Sequence, residues 1–202
     1  MKALIVVDVQ NDFIPGGALP VPAGNEVVPL INRLMPLFPL VVATQDWHPA
    51  GHVSFASSHR GKRPYEVIDL AGNQQVLWPD HCVQGSAGAD FAPALETFRF
   101  AAIIRKGTDP LIDSYSGFYD NRRQRSTGLA GYLREQGVTE VYLCGLASEY
   151  CVFYTALDAQ EAGFSTYYIE DATRPIQQEA FEAAKKTMQK RGIRLIQSDT
   201  IF

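Results

Sequence analysis

Val141-Tyr142-Leu143-Cys144-Gly145-Leu146-Ala147-Ser148-Glu149-Tyr150-Cys151 is the stretch on which the fold turns. It opens on β-branched and apolar residues, breaks at Gly145, and enters a helical pattern from about Tyr150. A strand that turns sharply into a helix leaves the helix N-terminus open at the carboxyl edge of a sheet. Ser148 is placed to cap that helix, and Cys151 falls three residues later, in its first turn. Unpaired backbone N–H groups and the positive helix end favour a thiolate there. A thiolate with amide donors beside it is a nucleophile that carries its own oxyanion site. The competing reading makes Cys151 a small buried apolar residue, as most cysteines are.

The rest of the chain repeats the strand-then-helix pattern. Residues 3–9 form an apolar run that takes in Asp8, the mark of a strand buried on both faces. Residues 25–37 carry Val27, Leu30, Ile31 and Leu34 at helical spacing, and 40–44 read as a second strand. A long polar, Pro- and Gly-rich passage over 46–88 holds all four histidines and both tryptophans. Passages that long with little periodicity are usually functional. Then come a strand at 101–105, a helix at 126–136 stopped by Gly137, a strand at 140–146 and a helix at 150–162 stopped by Gly163. A strand at 166–169, a helix at 177–191 and a strand at 193–196 complete the chain. This alternation predicts an α/β fold, a three-layer αβα Rossmann-like sandwich on a mostly parallel six-stranded sheet. With no repeat, low-complexity segment or linker, residues 1–202 read as one domain.

Composition narrows the function classes. Hydrophobic residues make up 46% of the 202, enough for a sizeable core. A net charge of -4 with no basic block speaks against nucleic-acid or anionic-membrane partners. No run approaches the roughly 18 apolar residues of a membrane span, and Asp8 ends the N-terminal apolar run too early for a signal peptide. Cys82, Cys144 and Cys151 make no disulfide framework and suit a reducing, cytoplasmic setting. Homo-oligomerisation is the default expectation for such a globule.

In a parallel sheet, ligands sit outside the carboxyl ends of the strands. The residues there are Asp8, Asp46, Lys106 and the Gly145–Cys151 turn: two carboxylates, an amine and a thiol. Asp8 lies inside an apolar run, where an unpaired carboxylate is costly. It needs a cation or a donor, and Lys106 and the Cys151 thiol are the candidates. Asp46-Trp47-His48, followed by His52, His59 and His81, is a candidate three-ligand metal site, and a carboxylate with two imidazoles suits Zn, Fe or Mn. Read blandly, these histidines are solvent-facing loop residues, and Cys82 beside His81 is packing. Arg122, Arg123 and Arg125 form the basic cluster, read as a solvated face ahead of the helix at Ser126.

These residues resemble a known family. Val7-Asp8-Val9-Gln10-Asn11-Asp12-Phe13, Thr44-Gln45-Asp46-Trp47-His48-Pro49, Trp78-Pro79-Asp80-His81-Cys82-Val83, Arg105-Lys106-Gly107, Tyr115-Ser116-Gly117-Phe118 and Cys144 through Val152 are similar, in order, to the motifs of the nicotinamidases (pyrazinamidases). These belong to the isochorismatase-like cysteine hydrolases. The Asp–Lys–Cys set is generic to that superfamily; Asp-x-His with Trp-Pro-x-His-Cys-Val is specific to nicotinamidases.

The resemblance implies Asp8 as general base, Lys106 as the cation between acid and thiol, and Cys151 as nucleophile. It implies Asp46, His48 and His81 as ligands of one divalent transition metal ion, Zn ahead of Fe or Mn. His52 matches a histidine that some members recruit as a further ligand. Phe13, Trp78 and Tyr115 match aromatic walls around the substrate ring. The family has a cis peptide bond before the residue matching Ala147, which turns the N–H groups of Ala147 and Cys151 toward an oxyanion. The implied reaction is hydrolysis of nicotinamide to nicotinate and ammonia through a Cys151 thioester, in pyridine-nucleotide salvage, with pyrazinamide as a second substrate. Three rivals stand beside it: another amidohydrolase of the superfamily, a non-enzymatic scaffold, and a thiol redox pair of Cys144 and Cys151. A bond between that pair is opposed by their placement on either side of the turn.

Overall fold

The computed structural model describes residues 1–70 and 72–201. Its centre is β1, Lys2–Val7, whose residues from Ala3 onward are all buried. Side chains alternate across a strand, and here both sides are covered. Leu4 and Val6 pack into one core cluster, while Ala3, Ile5 and Val7 pack into the other.

From β1 the chain passes through α1 (Val27–Leu34) into β2 (Leu40–Asp46). Pro36 explains the shortness of α1, which continues as a tight turn over Met35–Leu37. The long passage after β2 contains an antiparallel hairpin, β3 (Val67–Leu70) and β4 (Asn73–Val76). Next come β5 (Ala102–Lys106), α2 (Leu129–Glu135), β6 (Glu140–Leu146) and α3 (Phe153–Glu161). The chain closes with β7 (Ser165–Arg174), α4 (Gln178–Lys190) and β8 (Arg194–Ile196). The main sheet has six strands in the order β5-β2-β1-β6-β7-β8, and every pairing is parallel. Val27, Val28, Ile31 and Leu34 of α1 cover one face. Leu129 and Leu133 of α2, Ala156 and Ala159 of α3, and Phe181, Ala184 and Met188 of α4 cover the other. The expected three-layer α/β sandwich is what the chain adopts.

Several local expectations shift. The helix expected from Ser126 starts at Leu129, with Gly128 in a left-handed conformation before it; the Ser126 hydroxyl instead accepts the Gly128 N–H at 3.1 Å. The strand expected at 166–169 runs ten residues, Ser165–Arg174, with a register shift opposite Leu143 and Gly145. The hairpin is unforeseen because Val67–Leu70 and Asn73–Val76 are largely exposed and show no apolar face.

The topology explains where chemistry can sit. β1 sends its connection toward β2, whereas its other neighbour β6 sends its own toward β7, so the two connections part and leave a crevice at the carboxyl edge. Gly145 lets β6 run close against β1 there: its φ is +116°, and a Cβ at that position would fall 2.1 Å from the Val7 carbonyl oxygen.

Candidate active site

Four strand ends deliver the site. β1 delivers Asp8, β2 Asp46, β5 Lys106, and the turn after β6 delivers Cys151, all of them buried. Asp8 follows the last residue of β1 with φ 48°, in the left-handed region, so the strand ends at this residue. Thr44 Oγ1 donates to Asp8 Oδ1 at 2.6 Å. Lys106 Nζ stands 2.9 Å from Asp8 Oδ2 as an ion pair, off the direction of a hydrogen bond. The same ammonium donates to Asp46 Oδ1 at 2.9 Å and to the Ser114 carbonyl at 2.8 Å, and lies 3.5 Å from Cys151 Sγ. One buried cation thus touches both carboxylates and the thiol.

The electrostatics follow from burial and these neighbours. Burial works against charge on Lys106, but Asp46 and Asp8 outweigh it and hold the ammonium well above its ordinary value. Burial raises Asp8, aided by the nearby Asp46 charge and opposed by Lys106. Burial would also raise Asp46, yet His48 and Lys106 bring it well below the usual carboxylate range. Burial drives the Cys151 thiol well above its ordinary value, with Asp8 and Asp46 adding to the rise and Lys106 opposing it. The thiol thus sits between a cation that favours its anion and a buried carboxylate placed to accept its proton. The open helix end and Lys106 favour the thiolate expected there, and burial beside two carboxylates opposes it.

The turn also differs from its expected capping. Ser148–Val152 is a wide, π-type turn ahead of α3, entered through a cis Leu146–Ala147 peptide bond. Ser148 does not cap it. Its hydroxyl donates to Thr173 Oγ1 at 2.8 Å, and its carbonyl accepts from the Tyr168 hydroxyl at 2.9 Å. The turn closes instead on the Ala147 carbonyl, which accepts the N–H groups of Tyr150 and Val152. Thr155 Oγ1 donates to the Cys151 carbonyl at 2.6 Å.

Beyond Lys106, Asp46 turns its other oxygen to two imidazoles. His48 Nε2 lies 3.1 Å and His81 Nε2 3.5 Å from Asp46 Oδ2. The Nδ1 atoms point away, to the Gly107 carbonyl at 3.0 Å and the Pro79 carbonyl at 2.7 Å. Asp46, His48 and His81 form one group able to hold a metal ion; His48, His52 and Asp113 form another. His52 is buried beside His48, with ring centroids 4.4 Å apart. Its nitrogens are engaged by Ser54 Oγ at 2.7 Å and the Asp109 carbonyl at 2.8 Å. His59 sits apart, its Nε2 on the Val53 carbonyl. Cys82 is fully buried in the core, as its packing reading had it. Cys144 offers its thiol to the Ile5 carbonyl, and no disulfide joins it to Cys151.

Phe13, Trp78 and Tyr115 line a single small cavity together with Cys151, Ala147, Asp46 and His81. Trp78 Nε1 donates to the Tyr115 hydroxyl at 3.3 Å, and Tyr150 meets Trp78 edge-on at 5.0 Å between centroids. Sequence reasoning missed four liners of this slot: Leu19, Asp113, Tyr150 and Ile176. Asp113 and Ile176 sit in loops without periodicity, and only their nearness to a strand end hinted at them. A larger cavity opens beyond Tyr115 and Asp113 and is lined by Arg122 and Arg123. The basic cluster there is paired: Arg123 with Asp158 and Glu161, and Arg125 with Asp109.

Known proteins share both the sequence and this architecture. The sequence model of the Isochorismatase domain matches residues 2–200. The nicotinamidase of Acinetobacter baylyi is 48% identical over 201 residues, covering 99% of this chain and 94% of that protein. A solved nicotinamidase/pyrazinamidase of Acinetobacter baumannii superposes with a TM-score of 0.97 at 48% identity, over 100% of this chain and 98% of the other. A pyrazinamidase of Pyrococcus horikoshii in complex with zinc superposes with a TM-score of 0.80 at 44% identity, over 97% and 98% of the two chains. Among the described residues no helix is long and apolar enough to cross a membrane.

Proposed function

Since the chain belongs to the isochorismatase domain family, we propose that its site works as follows. The protein is a nicotinamide amidohydrolase, yielding nicotinate and ammonia in pyridine-nucleotide salvage, with pyrazinamide as an alternative substrate. One observation carries the assignment of roles. Cys151, Asp46 and His81 line one cavity together with the aromatic side chains of Phe13, Trp78 and Tyr115, and Lys106 touches both the thiol and Asp46. A flat aromatic amide in this cavity would then meet the thiol with its carboxamide and the metal-binding cluster with its ring.

The catalytic steps use groups already in contact. Asp8 takes the proton from the Cys151 thiol, which its raised basicity suits. Lys106, 3.5 Å from the sulfur, stabilises the thiolate and keeps both carboxylates from repelling it. The sulfur attacks the amide carbon, and the N–H groups of Ala147 and Cys151 hold the oxyanion; losing one such donor typically costs about 2.7–4 kcal/mol of barrier. Asp8 hands its proton to the departing nitrogen as the C–N bond breaks, and ammonia leaves a thioester behind. Asp8 then accepts a proton from the attacking water, the C–S bond breaks, and the thiol is restored as nicotinate departs.

The donor set fits a divalent transition metal ion. Two Nε2 atoms and one carboxylate oxygen converge, and each ring is fixed through Nδ1 by a backbone carbonyl, the arrangement that orients imidazole ligands. Asp46, His48 and His81 would hold it. When bound, it supplies a Lewis-acid anchor for the ring nitrogen, with zinc the first candidate and Fe or Mn next. His52 would have to release Asp109 to join them, so we assign it to supporting His48. We further place the protein in the cytoplasm as a single domain, where reducing conditions keep its cysteines free.

The test is ammonia release from nicotinamide before and after dialysis against a chelator, with Cys151→Ala as the blank. Release that needs both metal and Cys151 is the expected result. No release, with Cys151 still readily alkylated, would keep a cysteine hydrolase and discard this substrate.

A further inference from the structure

Glu149 is buried two residues before the nucleophile, and none of the chemistry above uses it. Its carboxylate leaves the turn and reaches the segment between β7 and α4. There it accepts the Gln177 N–H at 2.7 Å on one oxygen and the Ile176 N–H at 3.2 Å on the other. Gln177 is the N-cap of α4 and makes no side-chain cap of its own, so Glu149 serves that end from another element. Among the described residues these are the only hydrogen bonds that the two amides make. Ile176 in turn projects into the slot that holds Phe13, Trp78 and Cys151.

We infer that Glu149 is a positioning residue that sets the Ile176 wall of the ring slot, and so governs how tightly the aromatic amide is held. The inference rests on the amidohydrolase reading above, and it adds a residue that acts on binding rather than on bond-making. The nucleophile's turn does not depend on this side chain. It is held by the Ala147 carbonyl, by Thr173 and Tyr168 through Ser148, and by Thr155 through the Cys151 carbonyl. Gln in place of Glu keeps the volume but offers one acceptor to two N–H donors and aims its own NH₂ at the second. The Ile176 segment is thereby freed on one side while the thiol keeps its place. Burial holds the Glu149 carboxyl above its ordinary value, so the anion is kept at a cost that a mere spacer would not require.

The test is a double-mutant cycle of Glu149→Gln and Ile176→Ala, read in KM and kcat for nicotinamide, with Cys151 alkylation by iodoacetamide alongside. Glu149→Gln should raise KM about tenfold, the factor carried by one charge-assisted hydrogen bond. kcat and the alkylation rate should stay within about threefold. In the Ile176→Ala background the same change should add less than about twofold, because its target is already gone. Additive KM effects, or a fall in kcat or alkylation at constant KM, would overturn the inference and assign Glu149 to the nucleophile's turn. If Glu149→Gln fails to fold, Glu149→Asp takes its place in the cycle with a smaller shift of the same sign. Should the wild type release no ammonia from nicotinamide, the functional reading falls on its own. The positioning role is then judged by amide hydrogen exchange at residues 176 and 177, which must lose protection in the variant.

Discussion

Replacing Lys106 with methionine removes the one cation that the two buried carboxylates share. In the native arrangement Nζ lies 2.9 Å from Asp8 Oδ2, 2.9 Å from Asp46 Oδ1 and 2.8 Å from the Ser114 carbonyl. Methionine fills much of the same volume, so little cavity forms, and the penalty is electrostatic. Removing one partner of a buried ion pair costs about 3–5 kcal/mol, because the charge left behind has neither water nor counter-ion. A chain of this size loses about 2–4 °C of Tm per kcal/mol, so the variant should melt about 6–20 °C lower. The assay is thermal unfolding followed by circular dichroism in chelator, since a bound ion would neutralise Asp46 and hide the effect. Asp8→Asn in the same chain should recover about half the loss, because one stranded charge has gone. Activity should be lost in both variants. A Lys106→Met protein melting within about 2 °C of wild type would refute the reasoning, since an ammonium at these distances cannot be withdrawn so cheaply from two ionised carboxylates.

Other outcomes follow from the same geometry. Because burial and the Asp46 charge raise Asp8, the acid limb of kcat/KM for nicotinamide should lie above the ordinary aspartate value of about 3.9, and a limb at or below it would remove Asp8 as the base. Gly107 has φ +66°, and a Cβ there would meet His48 Cε1 at 2.5 Å and Asp46 Oδ1 at 3.0 Å. Gly107→Ala should therefore weaken metal affinity about 10–100-fold in a competition titration, with Gly131→Ala, which has open space around it, unchanged. Glu149 is raised by burial, and a carboxyl whose folded value exceeds its unfolded one contributes stability that is full at low pH and is lost as pH rises through the folded value. The Tm of Glu149→Gln should thus gain on wild type as pH climbs from below about 4.3 toward neutrality, and a wild type that gains on the variant instead would show the sign to be wrong.

How far the sequence reaches is set by periodicity. Val141 to Leu146 and Ala3 to Val7 announce themselves because both faces of a central parallel strand must be apolar. Asp8, Asp46, Lys106 and Cys151 were legible for a related reason: they are chemically active residues where apolar runs stop, and strand ends are where such a fold binds ligands. The hairpin of β3 and β4 was not, since its burial is too slight to impose an alternation. Ser148 fits the pattern of a cap, yet its hydroxyl goes to Thr173, twenty-five residues away on a strand whose extension past Ile169 no local signal marks. Glu149 and Ile176 meet only because α4 starts beside the nucleophile's turn, which is a tertiary fact with no local trace. The electrostatics of Cys151 are of the same kind, because the open helix end is local while the burial beside two carboxylates that opposes it is set by the tertiary fold.

The most direct test of the account is partitioning of the acyl group between water and hydroxylamine during turnover of nicotinamide. A Cys151 thioester predicts that nicotinohydroxamate appears beside nicotinate, and that both products vanish in Cys151→Ala. Ammonia release that persists in Cys151→Ala, with no hydroxamate formed by the wild type, would contradict it and transfer the reaction to direct attack by water.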